Sequence, residues 1–161
     1  MEKNTGSTRL LVVTAMIAAL YAVMTTAIAP LAFGPIQLRI SEVLVLLAFI
    51  DKRYIPGLIL GCFIANLFSP FGLMDVFFGT TCTAAALWGI TRSKTLFGAS
   101  LWPVFFNAFI GVELYLLGEC PLIFGMITVA LGEFLAVSCI GYVVFRQVMK
   151  NPGLMARLKL A

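Results

Sequence analysis

What most constrains this chain is a series of long, nearly uninterrupted apolar runs, separated by short turns that carry most of the charge. Mean hydropathy is +1.06 and only 11% of residues are charged, which is more apolar side chain than a soluble core can cover in 161 residues. Lipid is therefore the solvent. A transmembrane barrel needs segments of alternating hydrophobicity, whereas these runs are continuous, so the spans are helices.

At about 20 residues per crossing, the pattern predicts an all-α integral membrane protein. It forms one transmembrane domain over residues 1–161, a compact bundle of six helices at 9–29, 38–50, 54–68, 73–90, 99–117 and 122–145. Pro30 is expected to stop the first helix, and Pro103 to sit in the first turn of the fifth, where its missing N–H costs nothing. Segments two and three are short. Joining them as a re-entrant hairpin would sink Asp51, Lys52 and Arg53 into hydrocarbon at roughly 3 kcal/mol each, so two thin or tilted spans are preferred. The first run lacks a small-residue cleavage signature and reads as a retained span.

Orientation follows from Lys and Arg. With both termini cytoplasmic, every basic residue except Arg39 falls inside, and the chain is a multi-pass protein of the cell (plasma) membrane. The net charge of +4 then reflects topology and contact with anionic lipid, not nucleic-acid binding. Cys62, Cys82, Cys120 and Cys139 stand singly in apolar surroundings and there is no His; they read as small apolar fillers, with no metal and no cofactor implied. The absence of GxxxxGK[ST], GxSxG and HExxH argues against an enzyme and against an ATP site within the chain.

The polar residues that remain concentrate in the predicted outer half, around residues 34–42, GPIQLRISE. Glu42, Asp75, Glu113 and the deeper Glu133 lie within spans, Glu119 in an outer turn, with Gln37, Asn66 and Asn107 as amides and Arg39 as the only nearby cation. Carboxylates in a low-dielectric site take up a proton or await a partner carrying positive charge or several N–H donors. A planar, donor-rich ligand fits that inventory, with Tyr115 and Phe71, Phe77, Phe78 and Phe124 available to stack. Plainer roles exist for several of them. Arg39 can pair with Glu42 one turn on, Asp75 can serve the dipole at a helix start, Glu119 can be solvated and the Phe set can face lipid. Glu133 has no such explanation, being mid-span with no route to snorkel. On the first helix, Ala15 and Ala19, with Ala18 and Ala22 beside them, form small-residue stripes. These suit either packing inside the bundle or close approach of a partner helix.

Six short spans, an AxxxA stripe, a Gly/Pro loop into segment two and no catalytic motif resemble the substrate-binding S-components of energy-coupling factor (ECF) transporters. The run GPIQLRISEVLVLLAFIDKRYIPGLILGCFIANLFSPFG, followed by MDVFFGT, resembles the QueT family, importers of queuosine precursors such as deazaguanine bases. The resemblance implies a subunit that captures substrate outside and docks through Ala15 and Ala19 on a T-component served by two ATPases. Glu133 or Glu42 would then accept the guanine-like edge and Glu113 or Asp75 an ammonium. Asn66, Asn107 and Gln37 would cap ring acceptors, and residues 31–38 would act as a lid. An S-component for another ring-bearing vitamin, a self-sufficient proton-coupled carrier relaying through Glu133 and Glu113, and an assembly subunit without ligand are the alternatives.

Overall fold

The computed structural model describes residues 3–34 and 37–160, and among them only helices and turns occur. We number the helices α1 (Lys3–Ala27), α2 (Ala29–Ala32), α3 (Ile40–Ile50), α4 (Ile55–Asn66), α5 (Leu73–Ile90), α6 (Leu96–Asn107), α7 (Ile110–Leu116), α8 (Leu122–Lys150) and α9 (Pro152–Leu158). Four stretches are long and apolar enough to cross a membrane: Ser7–Ala27, Leu73–Ile90, Leu96–Leu116 and Leu122–Lys150. The bundle is apolar outside, with Leu11, Phe68, Leu73, Phe77 and Ile123 among its exposed side chains, and buries Arg39, Glu42, Asp75, Glu113 and Glu133 within.

Helices α3 and α4 occupy the expected short segments. The first part of α3, Ile40–Leu46, winds as a 3-10 helix before the α-helical turn Leu47–Ile50. At about 2.0 Å of rise per residue for the first part and 1.5 Å for the second, α3 is roughly 20 Å long, short of a hydrocarbon core of about 30 Å. The charged link at residues 51–53 is tied to the C-terminal tail. Asp51 accepts from the side chain and N–H of Arg53 and from the N–H of Leu160, and the Tyr54 hydroxyl donates to the Leu158 carbonyl at 2.8 Å.

Two proline expectations change. Helix α1 ends at Ala27, and Pro30 falls in the first turn of α2, so it starts a turn of helix instead of stopping one. Helix α6 begins at Leu96, with the Thr95 hydroxyl accepting from the Gly98 N–H, which leaves Pro103 in the helix interior. The long fifth segment then breaks at 107–110 into α6 and α7. Helix α8 runs on through a π-helical stretch, Phe134–Gly141, that starts directly after Glu133, a winding that recurs at functional sites because it re-aims side chains.

Helix α4 packs on α1 through glycines. A Cβ on Gly57 would lie 2.8 Å from the Thr14 carbonyl oxygen, and one on Gly61 3.0 Å from the Ala18 Cα. Close backbone approach gives dispersion contacts that lipid does not displace. It also divides the alanine stripe: Ala18 is buried in this contact and Ala22 is buried one turn on, while Ala15 and Ala19 face outward. Gly61→Val is expected to destabilise the bundle by about 1–3 kcal/mol, the usual cost of overpacking, measured as detergent-resistant unfolding. An unchanged midpoint would show that the helices do not need to touch there.

Candidate functional site

Helix α3 begins only at Ile40, so Arg39 is extended, with φ −97° and ψ 94°. Its side chain therefore leaves α3 and crosses the bundle, and the pairing with Glu42 does not form. Instead Nη2 donates to both oxygens of Asp75, at 3.2 and 3.3 Å, Nη1 donates to Asn66 Oδ1 at 3.3 Å, and Nε donates to the Ala32 carbonyl. The guanidinium also lies 5.2 Å from the centre of the Phe33 ring. Arg39 is 1% exposed and Asp75 0%, and the planar guanidinium spreads its donors over the carboxylate, an amide oxygen and a backbone carbonyl. Asp75 is thus a partner for Arg39 and more than a helix-start charge. Gly79, one turn on from Asp75, makes room for Asn66: a Cβ there would lie 2.6 Å from its Nδ2.

Glu42 is anchored on one oxygen only. Oε1 accepts from the Tyr21 hydroxyl and from Thr83 Oγ1, which in turn accepts from Cys62 Sγ at 3.3 Å. Beside this, the hydroxyls of Thr25 and Ser41 meet at 2.6 Å, so α1 is joined to α3 by two polar contacts within one turn. Oε2 of Glu42 has no partner.

The same holds for a set of atoms around it. Both oxygens of Glu113, both of Glu133, Asn107 Oδ1 and both side-chain atoms of Gln37 are buried without a hydrogen bond among the described residues. Asn107, at the α6 terminus, makes a polar side-chain contact with Glu133 that is looser than an ordinary hydrogen bond, and Glu133 also feels the charges of Glu42 and Arg39, while Glu113 feels those of Asp75 and Arg39. The segment bearing Gln37 reaches this place because of Gly132. A Cβ at 132 would strike the Gln37 carbonyl, so the chain passes against α8 one residue from Glu133. Four carboxylates, Glu42, Asp75, Glu113 and Glu133, are buried together with one cation, Arg39, and Asp75 alone is paired with it. Buried acceptors are ordinarily satisfied. A group with this many can accept hydrogen bonds from N–H donors or balance a positive charge. No group of three or more His, Cys, Asp or Glu among the described residues is arranged to hold a metal ion.

Residues 11–150 match the family model described as QueT transporter. The chain belongs to the QueT family. A relative in Lactococcus lactis subsp. cremoris (strain MG1363), named queuosine precursor transporter QueT, is 33% identical over 144 aligned residues, covering 77% of this chain and 83% of the relative. No solved structure matches. Family membership and the apolar helices make this a multi-pass transport protein of the plasma membrane.

In this QueT-family chain the structure gathers Gln37, Arg39, Glu42, Asn66, Asp75, Asn107, Glu113 and Glu133 inside the bundle, each at most 1% exposed. It places Tyr115 elsewhere, 53% exposed, and leaves Glu119 exposed in its turn. Phe77 and Phe124 face outward, and Phe71 packs against the apolar cluster of Cys82, Ile110, Leu114 and Val129. Of the segment 31–38, the Leu38 N–H donates to the Leu31 carbonyl at 3.0 Å, while Pro35 and Ile36 lie outside the described residues. Sequence reasoning missed Tyr21, Thr83 and Cys62. A tyrosine or threonine on an apolar helix is an ordinary neighbour of lipid headgroups, and only the bundle shows that these point inward.

Proposed function

We propose that this chain is the substrate-binding S-component of an ECF-type importer and captures a queuosine precursor, a deazaguanine base, from outside the cell. It is a six-span bundle with both termini cytoplasmic, α3 and α4 being the two thin spans. The observation that carries the reading is the cluster of unpartnered buried acceptors on Glu42, Glu113 and Glu133. A deazaguanine base presents ring N–H and exocyclic amine donors, and its aminomethyl form adds a cation. Two parallel N–H···O bonds to a carboxylate suit such an edge.

The geometry narrows the roles. Asp75 is engaged by Arg39, and so is Asn66, so this trio shapes the site without meeting ligand. Glu133 or the free oxygen of Glu42 takes the guanine-like edge, Glu113 takes the ammonium, and Gln37 and Asn107 cap the ring. In this reading energy comes from two ATPases acting through a T-component. The T-component docks on the outward face of α1, where Met16, Ile17, Ala19, Leu20 and Val23 line an apolar groove of about 450 Å³.

Glu133→Gln tests the site. It should weaken binding of aminomethyl-deazaguanine to the purified chain by about 1–3 kcal/mol, the range for a charge-assisted hydrogen bond. Affinity equal to wild type would remove Glu133 from the site.

A further inference from the structure

At one end of the bundle the start of α6 and the end of α8 enclose a groove of about 330 Å³, lined by Thr95, Leu96, Phe97, Tyr142, Arg146 and Lys150, with Met149 completing the wall. It lies apart from the buried carboxylates. Tyr142, Arg146 and Lys150 recur every four residues and so lie along one stripe of α8. The stripe faces α6 through an edge-to-face contact of Tyr142 with Phe97, ring centres 5.7 Å apart. The groove thus has a built wall as well as two cations.

Those cations are uncompensated. The ion pairs among the described residues are Arg39–Asp75 and Arg53–Asp51, and no carboxylate lines the groove. Like charges one turn apart repel, and Lys94, next in sequence to Thr95, adds to the local positive potential. The remaining wall is apolar. Phe97, in the wall, is 48% exposed and Val143, next to Tyr142 in the chain, 58%, so exposed apolar surface adjoins the groove. An anion with a hydrocarbon tail uses both halves of such a site; a free phosphate uses only one.

We propose that this groove binds the headgroup of an anionic phospholipid. Arg146 and Lys150 neutralise its phosphate, and an acyl chain follows the Phe97–Val143 surface. The groove neither depends on the substrate assignment nor requires a coupling partner.

The test is native mass spectrometry of the full chain released from micelles with equal amounts of phosphatidylglycerol and phosphatidylcholine of identical acyl chains. Wild type should retain phosphatidylglycerol about 10- to 30-fold over phosphatidylcholine, as expected for two cations at a membrane surface. The double variant Arg146→Ala, Lys150→Ala should lose most of that preference. The variant Arg157→Ala, Lys159→Ala, which removes the same charge outside the groove, should keep it. Equal retention of the two lipids by wild type, or equal loss in both variants, would overturn the proposal. So would displacement of phosphatidylglycerol by millimolar inorganic phosphate, since the ligand would then be the phosphate alone.

Discussion

Asp75→Ala should be the most damaging single substitution in the bundle, destabilising it by about 3–5 kcal/mol. Among the described residues Asp75 is the only carboxylate bonded to Arg39, and both are buried among apolar helices. Taking the carboxylate away leaves a guanidinium that cannot deprotonate, cannot reach water and keeps only the Asn66 and Ala32 oxygens. The penalty is that of an uncompensated buried charge, larger than the net worth of the pair. A double variant, Arg39→Met with Asp75→Leu, removes both charges and should recover most of the loss. Unfolding midpoints in a mild detergent measure both. A double variant no more stable than Asp75→Ala would mean that packing around Asp75, not charge, sets the cost.

The second large effect concerns transport alone. Ala19→Trp should abolish uptake in cells while leaving ligand affinity of the purified chain within about twofold of wild type, since the two sites do not touch. Ala19 lies on the outward face of α1, within the groove formed with Met16, Leu20 and Val23. On the opposite face Tyr21 holds Glu42. Bulk at position 19 blocks approach of another helix without entering the carboxylate cluster. Ala18→Trp is the contrasting case, because Ala18 already meets Gly61, and it should damage folding and binding together. Parallel loss of binding and uptake in Ala19→Trp would refute an external docking role for that face.

How much of this was readable beforehand depended on whether a signal was local. Helix α5 was legible at both ends. Gly72, at φ 65°, makes the turn that precedes it, and Thr91 and Arg92 end it at the polar boundary. Glu133 was legible because a mid-span carboxylate has few explanations. The course of Arg39 was not. The alternative of a pairing with Glu42 assumed that the helix began at Leu38, and a start two residues later sent the side chain across the bundle to α5. Hydropathy likewise cannot tell a 3-10 turn from an α turn in ISEVLVL, nor see that α6 starts early enough to place Pro103 inside it. The small-residue stripe was ambiguous for a physical reason: alanine serves equally against a glycine of the same chain and against a partner helix. The position of Gly61 on α4 sets Ala18 apart, and burial in the bundle separates Ala18 and Ala22 from Ala15 and Ala19.

If the buried carboxylates receive a cationic deazaguanine base, calorimetric titration of the purified chain with aminomethyl-deazaguanine, its cyano analogue and guanine should show it. The aminomethyl form should bind tightest, and Glu113→Gln should remove its advantage over the cyano form. Binding of the cyano form as tightly as the aminomethyl form, or no heat with any of the three, would contradict that reading.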